Sequence, residues 1–447
     1  MQMKVIRTAF QVTLLGAAFM ILLTANAGAM IDGITGTTFN LTATTGHIST
    51  PDGGSYLIWG YANGAGLAQY PAPTLIVNQG ALVRVKLTNK LTVAGGGTPP
   101  NVSMVFPGQK VDIVPTDRGV PGVLTNEAAP NKSVTYQFTA ANPGTYTYYS
   151  GTDSALQVEM GLMGALIVRP SAGAQYAYNH QNTQFDRETL FLLSEMDPRI
   201  HQVVESFGPA AVAATGYLAN YFPVLWFING RAAPDTMAEP MAPWLPYQPY
   251  DCMPMMHPGE RLLMRVIGGG RDLHPFHHHG NHARVIARDG RLLESAPNKG
   301  PDLSYEVFTI QSQPGSTIDA IFEWTGKGLG WDIYGSLAAG PEFAHDCMDM
   351  NGDDFDDTTH EYCPDHYKPF PVSLPTNLEL TFGGFYRGSP FLGLVNPLPP
   401  GEGGLNPNGG YTFMWHSHTE KEMVNFDIFP GGMMTMLIIE APGVMIH

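Results

Sequence analysis

The sequence is poor in basic residues. Its 447 residues include 23 Lys and Arg against 39 Asp and Glu, which gives a formal net charge of −16 at pH 7. Binding to the phosphates of a nucleic acid needs a basic face, so this balance argues against a nucleic-acid partner. The sequence also lacks a nucleophile elbow, a phosphate-binding loop and a dinucleotide-binding fingerprint, which leaves the enzyme classes built on those motifs without support.

Long hydrophobic runs are missing after the first residues of the chain. Lys4 and Arg7 form a short basic start, an apolar run follows from Ala9 to Leu23, and small residues near Ala27 suit cleavage. This pattern predicts a signal peptide over residues 1–29, with an uncleaved anchor as the alternative. No later stretch is long enough to span a bilayer. We therefore expect the mature chain to be exported, either periplasmic or extracellular, and to have no membrane span.

Cysteine is scarce, with three residues in the chain. An exported chain with three cysteines leaves at least one unpaired. Cys347 and Cys363 flank a loop that a disulfide could close, which would leave Cys252 over. Pairing of Cys252 with either of the others stays open at this point.

Charged residues make up only 14% of the sequence, whereas it contains 51 Gly and 37 Pro. This composition favours many turns and short strands over long helices. Alternating or continuous apolar segments such as Leu82 to Leu87 predict antiparallel β-sandwiches. We expect one domain over residues 30–170, a linker over residues 171–183 and a second domain over residues 184–447. A long loop insert, about residues 337–409, interrupts the second domain.

Histidines are concentrated in two short segments. Five of the 15 lie between residues 274 and 282, and two more form the sequence Trp415-His416-Ser417-His418. Alternate side chains of an extended segment point the same way, so His277 and His279 share one face, as do His416 and His418. We predict that these four converge on one metal ion, because neutral imidazoles suit copper and zinc, with His274 or His282 nearby. The alternative is a run of surface imidazoles without a ligand.

The insert is acidic. Asp349, Asn351 and Asp353 alternate around Gly352, which resembles the start of a calcium loop, but His360 stands where a bidentate Glu would be expected. A calcium site and a solvated acidic loop are both compatible with this pattern.

The histidine segments resemble those of the multicopper oxidase and copper nitrite reductase superfamily of cupredoxin domains. The resemblance rests on His-Pro-Phe-His-His-His-Gly at residues 274–280 and on His-Ser-His at residues 416–418, followed by Gly-Gly-Met-Met at residues 431–434. It implies an all-β fold of two cupredoxin-like Greek-key β-sandwich domains, with copper as the cofactor. By the same resemblance, His274 would be a type 1 copper ligand. The ligands of the family's trinuclear copper cluster would include His277, His279, His416 and His418.

The departures from the family pattern concern the ligands themselves. Ser417 stands at the position of the type 1 Cys and Glu422 at that of a type 1 His, and a hydroxyl cannot supply the soft thiolate of such a site. In the first domain, ligand positions carry Val105, Pro107, Tyr149 and Gly151. The sequence therefore predicts an exported copper-binding protein with a reduced histidine site and no type 1 copper.

Two other functions stay open. One is a copper-dependent oxidoreductase that uses a mononuclear site, or a site completed by a neighbouring subunit in a homo-oligomer. The other is a structural extracellular scaffold that binds no metal.

Overall fold

The computed structural model describes residues 31–93, 97–328, 330, 332, 334, 345–368, 383–385, 411–440 and 446. The signal peptide predicted for residues 1–29 lies outside these residues, as do large parts of the predicted insert. Within the described ranges, no helix is both long and apolar enough to cross a membrane.

The first eleven strands build what we call the first sandwich. They are β1 (Ile34–Thr35), β2 (Thr38–Ser49), β3 (Ser55–Asn63), β4 (Ala72–Asn78), β5 (Leu82–Asn89), β6 (Asp112–Ile113), β7 (Val120–Pro121), β8 (Asn126–Glu127), β9 (Ser133–Thr139), β10 (Gly144–Tyr149) and β11 (Met163–Arg169). One sheet has the order β1-β4-β11-β10 and the other β3-β2-β5-β9-β6, while β7 and β8 pair separately. In β5, Val83 and Val85 are buried and Arg84 and Lys86 are exposed, because successive side chains of a strand face opposite ways.

The remaining strands build the second sandwich. They are β12 (Arg187–Met196), β13 (Leu225–Ile228), β14 (Met255–Met256), β15 (Arg261–Gly268), β16 (His274–His278), β17 (Ala283–Arg288), β18 (Arg291–Leu292), β19 (Tyr305–Val307), β20 (Thr309–Ser312), β21 (Thr317–Glu323), β22 (Gly383–Phe385), β23 (Tyr411–Ser417) and β24 (Met434–Ile439). One sheet has the order β13-β12-β15-β21-β17-β18, with β19 on β17. The other has the order β14-β24-β23-β16-β20, with β22 on β23, and it carries both histidine segments.

Helices are few and short in the described residues. They are α1 (Ser154–Gln157), α2 (Pro198–Phe207) and α3 (Val212–Thr215), with 3-10 turns at Gln181–Thr183, Pro209–Ala211, Asp235–Met237, Cys363–Asp365 and Glu420–Met423. Helix α2 begins after Asp197, whose side chain accepts a hydrogen bond from the backbone N–H of Arg199. The prediction of an all-β chain is confirmed. The exact division at residues 171–183 stays a prediction.

Each sandwich has its own apolar core, and a third apolar cluster joins the two. The first core contains Trp59 and Tyr136, and the second contains Phe276 and Trp415. The joining cluster takes side chains from both sandwiches, among them Ile58, Tyr70, Met163, Leu192 and Phe227. Burial of this shared surface holds the two sandwiches against each other, since apolar area removed from water is stabilising.

A buried ion network crosses the same boundary. Both carboxylate oxygens of Glu188 on β12 accept hydrogen bonds from Arg169 on β11, and Arg265 Nε on β15 lies 2.9 Å from Glu188 Oε2. Arg265 also donates to the Thr145 hydroxyl on β10 at 2.9 Å. All four side chains are buried, so each charge depends on its partners.

The predicted disulfide is present. Cys347 and Cys363 are bonded across a sequence separation of 16 residues, and Cys252 is free and buried. The prediction of this pairing is confirmed.

Candidate metal centre

The two histidine segments are neighbouring antiparallel strands. His277 on β16 pairs with His416 on β23, and Phe276 pairs with Ser417. Directly paired residues of two antiparallel strands present their side chains to the same face, so the register itself brings His277 beside His416. The β16 strand is central, since its other edge pairs with β20.

Three imidazoles converge at this point. One ring nitrogen from each of His277, His279 and His416 lies within 4.8 Å of the others. The Nε2 atoms of His279 and His416 are 3.1 Å apart. The ring centroids of His277 and His279 are separated by 4.6 Å, and those of His277 and His416 by 5.4 Å. We call these three residues the histidine cluster.

Backbone carbonyls orient two of these rings. Nδ1 of His277 lies 2.6 Å from the carbonyl oxygen of Phe308, and Nδ1 of His416 lies 2.7 Å from that of Ser417. A carbonyl only accepts, so Nδ1 donates in each case and the proton is fixed there. The Nε2 lone pair of each ring is then available to a ligand, as in metal sites where the second nitrogen is held by an outer partner.

The surroundings of the cluster favour the neutral form of two of its imidazoles. Burial, together with the neighbouring His279, lowers the pKa of His277 to about 4, and burial likewise lowers the pKa of His416. Neutral imidazoles offer lone pairs without needing to lose a proton, which favours metal binding.

The spacing fits a single metal ion. Two nitrogens bound about 2.0 Å from one ion, at an angle between about 90 and 109°, lie about 2.8–3.3 Å apart. The 3.1 Å separation of the His279 and His416 nitrogens falls in that interval. The donor set of imidazoles suits copper or zinc.

The other histidines of the two segments lie around this cluster. His418 is exposed, and its ring centroid is 4.5 Å from that of His277 and 5.3 Å from that of His416. His282 is exposed beside Phe308. His278 is buried on the opposite side of the strand, where its Nε2 accepts the backbone N–H of Ala283 at 2.9 Å. The metal role predicted for His277, His279, His416 and His418 stays a prediction, and His418 lies at the cluster's solvent side.

His274 is engaged elsewhere. It is fully buried, with Nδ1 2.9 Å from Glu422 Oε2 and Nε2 2.8 Å from Glu195 Oε2. Burial alone would lower the pKa of His274, but the two carboxylates raise it to about 9. The hydroxyl of Ser417 donates to Glu422 at 2.5 Å. The ring is therefore an imidazolium that donates to two carboxylates, and its predicted role as a metal ligand stays untested.

The corresponding segments of the first sandwich also lie together. Val105 and Tyr149 exchange backbone hydrogen bonds of 2.8 and 3.2 Å, and the Ser103 hydroxyl accepts the N–H of Gly151 at 3.0 Å. The side chains brought together there are a valine and a tyrosine next to a proline and a glycine. They offer no imidazole or thiolate to a metal.

The Cys252 thiol bonds to the backbone. The thiol of Cys252 is buried and donates to the carbonyl oxygen of Ile228 at 2.9 Å. Burial raises the pKa of the Cys252 thiol, so the thiolate that a soft metal needs is disfavoured near neutral pH.

The acidic residues predicted as a calcium loop bind backbone N–H groups. Asp349 accepts from the N–H groups of Gly352, Asp353 and Asp354. Asp353 in turn accepts from the N–H of Phe355 at 3.0 Å. These bonds shape a compact loop and leave the calcium prediction without support.

A second group of metal-binding side chains lies in the same loop and was not predicted from the sequence. His345, Glu361 and His366 each place one ligand atom within 4.8 Å of the others. Their spacing matches no short motif, so only the folded loop brings them together.

Comparison with known proteins links part of the chain to a family. Residues 43–191, about a third of the chain, match a family model described as multicopper oxidase. Over this segment the chain is similar to multicopper oxidases. The matched segment lies in the first sandwich and the beginning of the second.

Curated multicopper oxidases match part of the chain. It is 33% identical over 105 residues to multicopper oxidase VdtB of Byssochlamys spectabilis, which is 24% of this chain and 14% of that protein. It is 33% identical over 147 residues to the iron transport multicopper oxidase FET3 of Saccharomyces cerevisiae, which is 31% of this chain and 21% of that protein. The matches thus span about a fifth or less of these relatives.

A solved multicopper oxidase shares the fold over most of the chain. The blue copper oxidase of Nitrosomonas europaea superposes with a TM-score of 0.54 at 18% identity, covering 90% of this chain and 85% of that one. The prediction of two cupredoxin-like sandwiches is therefore confirmed. Copper is the metal that this multicopper oxidase family implies for the histidine cluster.

Proposed function

We propose that this multicopper-oxidase-like protein is an exported copper-binding protein with a reduced metal site and no type 1 copper. The observation that carries the proposal is the 3.1 Å separation of the His279 and His416 nitrogens, with the third nitrogen of His277 within 4.8 Å. His418 lies close enough to complete the site from the solvent side. One ion is the natural occupancy, because three or four imidazoles are too few donors for several coppers.

The chain's own residues would bind and orient this ion. The Phe308 and Ser417 carbonyls hold the His277 and His416 rings by their Nδ1 atoms, which directs both Nε2 lone pairs inward. A bound copper would supply redox chemistry. The imidazole donors would hold it without a proton to displace at neutral pH, since the pKa of His277 is lowered to about 4.

The absence of a type 1 copper is supported by what fills its expected place. Ser417, Glu422 and His274 occupy the positions that the family pattern assigns to ligands, and they bond to one another or to Glu195. The imidazolium of His274 already binds the two buried carboxylates of Glu195 and Glu422. A copper ion there would have to displace a buried cation and would find no thiolate.

Loss of that site removes the electron entry point that a multicopper oxidase uses. The proposed function is therefore copper binding without ordinary oxidase turnover. Export is supported by the disulfide between Cys347 and Cys363, because such bonds persist in oxidising compartments.

Copper titration of the purified full chain tests the proposal. We expect a Cu(II) signal with several nitrogen ligands in electron paramagnetic resonance, lost in a His277→Ala/His416→Ala variant. A His47→Ala/His282→Ala variant is the matched control, because both histidines are exposed and outside the cluster. Unchanged binding in the cluster variant would refute the site. Oxygen uptake at oxidase rates with a reducing substrate would refute the absence of turnover.

A further inference from the structure

A second polar centre lies at the base of the loop closed by the Cys347–Cys363 disulfide. His345 just before the loop, Glu361 within it and His366 just after it each offer one ligand atom within 4.8 Å of the other two. The group shares no residue with the histidine cluster, and its donor set differs because it includes a carboxylate. We call it the insert cluster.

Glu361 is the centre of this group. Its Oε2 lies 2.6 Å from Nε2 of His345, and its Oε1 lies 2.7 Å from Nδ1 of His366. The Glu361 side chain is only 3% exposed, whereas that of His345 is 29% exposed. The buried carboxylate thus holds two imidazoles, and the His345 side is open to solvent as an entry path for an ion.

A second buried carboxylate lies beside them. Asp332 Oδ2 is 3.4 Å from Nδ1 of His366 and accepts the backbone N–H of Tyr367 at 3.0 Å. Two buried carboxylates beside two imidazoles favour a cation among them, since buried charge is costly unless it is compensated.

Protein atoms leave the cluster incompletely bonded. Nε2 of His366 is buried and has no hydrogen-bond partner among the described residues. Nδ1, on the other edge of the same ring, is the nitrogen that faces Glu361 and Asp332 and would bind an ion of the cluster.

The surrounding chain fixes the geometry from both ends of the loop. The backbone N–H of Asp332 donates to the Lys368 carbonyl at 3.0 Å, and the Tyr334 hydroxyl donates to the Thr359 carbonyl at 3.2 Å. The side chains of the insert cluster are therefore attached to segments that the fold and the disulfide already position. Preorganisation of this kind is what a metal site needs.

We propose that His345, Glu361 and His366, with Asp332 beside them, bind one divalent transition-metal ion of the zinc class. Two imidazoles and one or two carboxylates are a common donor set for zinc, and no soft sulfur donor is present to favour Cu(I). The ion would replace the protons that His345 and His366 now share with Glu361. It would fasten the loop to Asp332, adding a second crosslink to the disulfide.

The test uses zinc alone as the probe, on the metal-stripped full chain. The starting protein carries His277→Ala/His416→Ala, which disables the histidine cluster, and we expect it to retain one zinc ion per chain. Adding His345→Gln or Glu361→Gln should weaken zinc binding by about 100-fold or more, since even outer-shell losses cost about 10–100-fold. His360→Asn is the matched control. This exposed histidine of the same loop has a positive φ of 58°, which Asn tolerates, and it should leave binding unchanged.

X-ray absorption at the zinc edge provides the structural readout. We expect nitrogen and oxygen ligands with two imidazoles, and four imidazoles would overturn the assignment. No zinc in the starting protein, or equal affinity after His345→Gln, would also overturn it. If the three combined substitutions impair folding, His345→Gln alone in the otherwise native chain should reduce bound zinc by one ion. None of these outcomes depends on copper binding at the histidine cluster.

Discussion

Raising the pH should weaken the folded state through one buried side chain, His274. Its imidazolium donates to Glu195 and Glu422, and these contacts raise its pKa from 6.5 to about 9 although burial acts in the opposite direction. In the unfolded chain the same ring loses its proton near pH 6.5. Between these two values the folded state holds one more proton than the unfolded state, so stability falls as the pH rises.

The magnitude follows from the two pKa values. Each pKa unit corresponds to about 1.4 kcal/mol, so the rise from 6.5 to about 9 is worth about 3 kcal/mol. This stabilisation is fully present below pH 6.5 and is lost as the pH passes through about 9. Solvent screening does not reduce it, because the His274 side chain is 0% exposed.

Urea denaturation of the metal-free protein at pH values from 6.5 to 10 measures this effect. The reference is a His274→Gln/Glu422→Gln variant, which removes one cation and one carboxylate together and so leaves the net charge of the pocket unchanged. We expect the advantage in unfolding free energy of the native chain over this variant to shrink by about 3 kcal/mol across the range. An advantage that stays constant with pH would show that His274 is neutral in the folded state. The interpretation that a charged His274 fills the expected position of a type 1 copper would then be wrong.

Three further predictions concern other parts of the chain. Arg265→Met should lower the unfolding free energy by about 3–5 kcal/mol in urea denaturation, because it leaves buried carboxylates uncompensated; a loss under 1 kcal/mol would contradict this. Cys347→Ala/Cys363→Ala should cost about 3 kcal/mol, the value for a loop of this length, and an unchanged denaturation midpoint would argue against it. Copper-loaded protein should show no intense blue band, because Ser417 supplies no thiolate; a strong band that Cys252→Ala abolishes would place a copper at that thiol instead.

Strand positions and the shared face of each His-x-His pair could be predicted from the sequence because both depend on local patterns. The alternation in Leu82–Asn89 predicts a half-buried strand, and the structure has one. Likewise, the alternate spacing of His277 and His279 places them on one face whatever the rest of the fold does. Helix α2 was missed, although Asp197 before Pro198 and apolar residues at Ile200 and Val204 are the signals of a capped helix.

The partners of His274 and the insert cluster could not be predicted in the same way. Glu195 lies 79 residues before His274, on a strand whose pattern only indicates burial. Glu361 and His345 are brought together by the disulfide and by hydrogen bonds between distant loop residues. Such contacts depend on tertiary packing, and neither periodicity nor a short motif carries that information.

The pairing of β16 with β23 has a consequence for how the protein matures. His279 and His416 are 137 residues apart in the chain, and their nitrogens meet only when His277 lies opposite His416. A slip of one residue would turn the imidazoles of one strand to the other face of the sheet. An ion bound at the proposed site by both strands would therefore favour the native alignment over one shifted by a single residue. The ion would bind only after this long-range ladder has closed.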